Sequence, residues 1–140
     1  MAATAPKYMA VQGAALLVAA AFVLLGLLGF IPGVTSGGRL FGVFAISGLH
    51  NVLHLLSGFV GFALARTYAA SRAYFLGGGL VYLALWLHGL LMGSGLLPLN
   101  DADNWLHFSL GVVMLLLGVT LAGQRDPTKR RRSSKSARRR

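Results

Sequence analysis

An all-α integral membrane four-helix bundle is the fold class this sequence predicts, and three observations predict it. Of the 140 residues, 56% are hydrophobic. Only 11% are charged, whereas a soluble domain carries about a quarter. The apolar residues also fall into four long runs, each near the roughly 20 residues a helix needs to cross a bilayer core about 30 Å thick.

The first run is VQGAALLVAAAFVLLGLLGFI (11–31), closed by Pro32-Gly33 and preceded by a short N-terminal segment, 1–10. Its length and the lack of a small-x-small cleavage site after it predict a retained spanning helix rather than a signal peptide. The second run extends over about 41–65, up to Arg66, and the third is AYFLGGGLVYLALWLHGLLMG (73–93). The fourth covers about 105–123, just ahead of Arg125. Short connections between them make sequential helices antiparallel neighbours in an up-down bundle. No stretch alternates with period two over the length of an outer-membrane strand, so strands are not expected. Small residues four apart, at Ser57-Gly61-Ala65 and Gly89-Gly93, permit the close backbone approach that holds helices together in lipid.

Charge is confined to one end. The formal net charge is +10, and nine of the 13 basic residues lie in the segment 125–140. Lys129, Arg130, Arg131, Arg132, Lys135, Arg138, Arg139 and Arg140 therefore read as a disordered, solvated cytoplasmic tail that lies on anionic lipid, at about 1 kcal/mol per charge near the surface. A nucleic-acid partner is not expected, because the rest of the chain holds only Lys7, Arg39, Arg66 and Arg72 against Asp101 and Asp103. Placing both termini in the cytoplasm of an inner membrane puts Lys7, Arg66, Arg72 and the tail on one side, as the positive-inside rule requires. There is no cysteine, which removes disulfides, thiolate metal sites and cysteine nucleophiles.

Polar residues inside the oily runs carry whatever chemistry exists. Residues 49–58 read LHNVLHLLSG, and 104–111 read NWLHFSLG. Asn51 aligns with Asn104, Leu53 with Leu106, His54 with His107 and Gly58 with Gly111, without a gap. Runs two and four point the same way, so the pattern suggests tandem duplication of a two-helix hairpin. Asn, His and Gly at i, i+3 and i+7 share one helical face. Unpaired polar groups are costly in lipid, so a seam of Ser47, His50, Asn51, His54 and Ser57 should face inward, with Asn104 and His107 as partners.

Three readings of that seam stay open. In the first it is structural: neutral imidazoles and amides bonded across helices, each contact worth about 0.6 kcal/mol, in an accessory protein with no cofactor. In the second, His50 and His54 are spaced i, i+4 to share an ion or haem iron, with His107 or Asp103 completing the set. In the third the groups line a small solute or proton pathway. The residues around Pro98, from Asn100 to Asn104, read as a turn and N-cap. No Ser/His/Asp triad, paired carboxylate or nucleotide loop is present, so an enzyme is not expected. The expected partners are the bilayer and a membrane complex or further copies of the chain.

The runs LHNVLHLLSGFVGFALART, SRAYFLGGGLVYLALWLHGLL and NDADNWLHFSLGV resemble an uncharacterised family of small bacterial membrane proteins, the domain of unknown function 4383. The resemblance covers roughly residues 8–124, leaving out the basic tail. It rests on N-x-x-H at 51–54, R-x-Y-x-x-G-G-G at 72–79 and D-N-W-L-H at 103–107. It implies four membrane spans and no particular activity.

Overall fold

The computed structural model describes residues 9–92, 97 and 99–121; the basic tail lies outside them. Four helices carry the fold: α1 (Ala10–Leu28), α2 (Gly48–Leu64), α3 (Tyr68–Met92) and α4 (Asp101–Thr120). Helices α1, α3 and α4 are long and apolar enough to cross a membrane. Helix α2 has 17 residues, about 25 Å at 1.5 Å per residue.

Helix α2 starts later than the apolar run of 41–65 suggests, and strands occur where none were expected. Residues between α1 and α2 form a small antiparallel meander of β1 (Thr35–Ser36), β2 (Arg39–Leu40) and β3 (Phe44–Ala45). Turn chemistry overrides hydropathy here. Gly37 and Gly38, with φ of 56° and 71°, make the two-residue turn whose positive φ values match strand twist. Phe41 (φ 52°) and Gly42 (φ 72°) turn the chain again. The helix then begins where a cap allows it, with the Ser47 hydroxyl accepting from His50 N–H at 3.1 Å.

The other boundaries shift for related reasons. Helix α3 begins five residues before position 73, because the Thr67 hydroxyl accepts from Ala70 N–H at 3.2 Å and starts it. Helix α4 begins at Asp101 rather than Trp105. There Asn100 and Asp103 form a reciprocal capping box, the Asn100 side chain accepting from Asp103 N–H and the Asp103 carboxylate from Asn100 N–H, both at 2.9 Å.

Contacts run in opposite order along each pair. Gly29, just past the end of α1, and Gly26 and Val23 within it meet Asn51, Leu55 and Gly58 of α2 in turn, so these two helices are antiparallel. Gly89, Leu83 and Leu76 of α3 meet Asn104, Gly111 and Gly118 of α4 in the same sense. Most interhelical packing lies within these two hairpins, and less lies between them. The hairpins join through a core of Phe22, Phe75, Tyr82 and Met114, in which Phe22 and Tyr82 stack with ring centroids 5.4 Å apart and planes within 5°. Tyr74 O–H also donates to Ser57 O at 3.3 Å, and Ser71 O–H to Leu64 O at 3.3 Å, pinning α3 to α2.

Candidate functional site

Three imidazoles meet where the two hairpins face each other. His50 and His54, one turn apart on α2, have ring centroids 4.6 Å apart. His107 of α4 lies 6.0 Å from His50 and 5.6 Å from Tyr82. Phe22 lies 5.9 Å from His54. All three histidines are buried. They border a cavity of about 170 Å³, completed by Ser57, Tyr82 and the apolar side chains of α2 and α3.

The hydrogen bonds divide the histidines into two kinds. His50 serves the fold. Its Nδ1 lies 3.1 Å from Ala45 O, and since a carbonyl can only accept, that nitrogen carries the proton. On the other side of the same residue, Ala45 N–H donates to the Asp103 carboxylate at 3.0 Å. Asp103 is 1% exposed, and Asn100 Nδ2 adds a bond to Val43 O at 2.7 Å. Strand β3 is thereby clamped between α2 and the N-terminus of α4. His54 and His107 serve no such purpose: among the described residues, Nδ1 of each is buried without a hydrogen-bond partner.

The remaining seam residues go elsewhere. Asn51 does not reach Asn104. Each carboxamide instead packs on a glycine of its own hairpin, Asn51 on Gly29 and Asn104 on Gly89, so closely that a Cβ at either glycine would overlap it. Each side-chain oxygen lacks a partner among the described residues. The reason is helix–helix geometry: the preceding helix of each hairpin covers the asparagine before the other hairpin can. Ser47 caps α2 and borders, with Asn51, a separate cavity of about 340 Å³ beneath the meander. His88 is half-buried and stands outside the cluster.

The metal reading gains no support. Among the described residues no group of three His, Asp or Glu side chains could hold an ion. The one carboxylate expected beside these histidines, that of Asp103, accepts from two backbone amides through Oδ2. The Asp103–Ala45 contact was not legible in the chain, although Thr-Ser-Gly-Gly-Arg-Leu at 35–40 carries a two-residue hairpin signal that exposes the meander.

A family model described as a domain of unknown function, DUF4383, matches residues 12–120. The chain belongs to the DUF4383 family. That match takes in all four helices except the first two residues of α1, and it includes every residue of the histidine cavity. No curated protein and no solved structure matches.

Proposed function

We propose that the chain is a non-enzymatic, structural or accessory membrane protein that crosses the bilayer four times and arose by duplication of a helical hairpin. The observation that carries this reading is the pair of matched contacts, Gly29 with Asn51 and Gly89 with Asn104. The same step of 60 residues that relates Gly29 to Gly89 relates Phe22 to Tyr82, Ala19 to Gly79 and Val23 to Leu83. Gly58 meets Ala19 and Val23, and Gly111 meets Gly79 and Leu83. A shared packing scheme on both hairpins is what a common ancestor of the two halves leaves behind. The cross-hairpin stack of Phe22 on Tyr82 then joins equivalent positions.

A fourth crossing by α2 is supported by its antiparallel packing along α1. A bilayer accommodates a short span by local thinning or flanking residues. The positive-inside rule favours an inner membrane with Arg66, Arg72 and the tail in the cytoplasm, where the tail contacts anionic lipid. The outward end then holds the meander, the Asp103 clamp and the histidine cavity. The protein works in this reading as a partner within a membrane assembly or with further copies of itself.

The lack of native cysteine makes topology directly testable. A membrane-impermeant maleimide should label Thr35→Cys in intact cells, and Thr67→Cys only after permeabilisation. Labelling of Thr67→Cys from outside would refute the orientation, and equal labelling of both in intact cells would refute the fourth span.

A further inference from the structure

We infer that the two hairpins hold between them a binding site for a single-chain amphiphile with a flat, uncharged, carbonyl-bearing head, the chemistry of an isoprenoid quinone. The histidine cavity is one end of a longer opening. A second cavity of about 360 Å³ runs on from it between α2 and α3, toward Tyr74 and Gly77. The two share Leu53, Ser57, Val81 and Tyr82, so they form one continuous cleft. Together they fall within the roughly 300–1,000 Å³ of ordinary ligand sites; the histidine end alone does not.

The two ends differ in chemistry. Beyond Ser57 and Tyr82 the cleft is apolar, walled by Phe22, Leu56, Val60 and Met114. Leu56, Val60 and Val81 are about half exposed, so on the four-span reading proposed above, on which this inference rests, the cleft opens sideways into lipid rather than toward water. A hydrocarbon chain suits that part. At the other end, His54 is 7% and His107 is 2% exposed, and both rings line the cavity, while Nδ1 of each is itself enclosed and has no partner among the described residues. A ligand carbonyl can accept from an imidazole N–H, and a ligand hydroxyl can donate to a bare ring nitrogen.

The surroundings select the head group. Among the described residues no Lys or Arg borders either cavity, so a phosphate or carboxylate head would lie without a counter-charge in a low-dielectric setting. An uncharged head remains. The rings of His50, His54, His107 and Tyr82 form much of the wall, and flat surfaces favour an offset-stacked planar head.

The test uses the full-length protein in lipid nanodiscs, with an azido-substituted decyl-benzoquinone as probe and mass spectrometry to locate the cross-link. The expected result is saturable labelling of peptides containing Leu53–Ser57 or Val81–Leu85, competed by unlabelled decyl-benzoquinone but not by decanoate. A Cβ on Gly77 meets nothing within 4 Å, and Gly77 borders the chain end of the cleft. Gly77→Leu should therefore fold normally and abolish labelling by the tailed probe. His54→Leu and His107→Leu should each weaken it about tenfold, the loss of one hydrogen bond. Absence of saturable labelling overturns the inference. So does labelling of a folded Gly77→Leu protein equal to that of the wild type, or competition by decanoate as strong as by the quinone.

Discussion

The Asp103 carboxylate at the first turn of α4 and the Ala45 amide in β3 are joined by a 3.0 Å hydrogen bond that spans 58 residues of chain. The same carboxylate closes the capping box of α4. One buried side chain thus starts a helix in the second hairpin and anchors the loop of the first. Asp103→Ala should leave the Ala45 and Asn100 amides unsatisfied and cost about 1–3 kcal/mol. Hydrogen exchange reads this locally: the Ala45 amide should lose protection, whereas amides in the middle of α1 should not.

The Gly29–Asn51 contact predicts a coupled pair of substitutions. Gly29→Ala alone forces the Asn51 carboxamide out of place and should destabilise the protein by about 1–3 kcal/mol, as overpacking does. Asn51→Ala should recover part of that loss in the double variant. Reversible unfolding in mixed detergent micelles measures the cycle, and strict additivity would contradict the contact. Gly89→Ala with Asn104→Ala should behave alike.

Phe22 and Tyr82 hold the hairpins together face to face, 5.4 Å apart. Phe22→Leu keeps most of the apolar volume and loses the stack, so it should cost about 0.5–1.5 kcal/mol beyond any area lost. Tyr82→Phe retains the stack and should fall below that. Thermal unfolding in the same micelles ranks the two, and the reverse order would show that the phenol oxygen, not the ring pair, matters.

Gln12 reaches from α1 to the end of α2, where its Nε2 donates to Ala65 O at 3.1 Å and Arg66 O at 3.0 Å. Carbonyls at a helix C-terminus have no partner within the helix. Gln12→Leu should therefore cost about 1 kcal/mol and loosen the α2–α3 connection. A spin label at Thr67→Cys should become more mobile in that variant.

Much of the fold is legible in the chain itself. Hydropathy marks α1, α3 and α4 as long apolar runs, and Gln12, Ser71, Asp103 and His107 within them are buried, whereas Ser109 and Thr120 are exposed. Helix α2 starts later than hydropathy implies because Phe41–Ile46 is oily enough for a span, while its conformation obeys the glycines at 37, 38 and 42 and the cap at Ser47. The matching of Asn51 with Asn104 was visible; that each asparagine faces a glycine in its own hairpin was not.

The letters alone determined that this chain forms apolar helices with a few buried imidazoles and amides, since composition and spacing act locally along the chain. Tertiary structure decided which of those groups meet. Helix rotation and the close approach at Gly29 and Gly89 turn the asparagines inward to their own hairpins, tie His50 to the meander, and leave His54 and His107 facing a cleft. Those choices depend on contacts between residues far apart in the chain, and no single stretch of sequence encodes them.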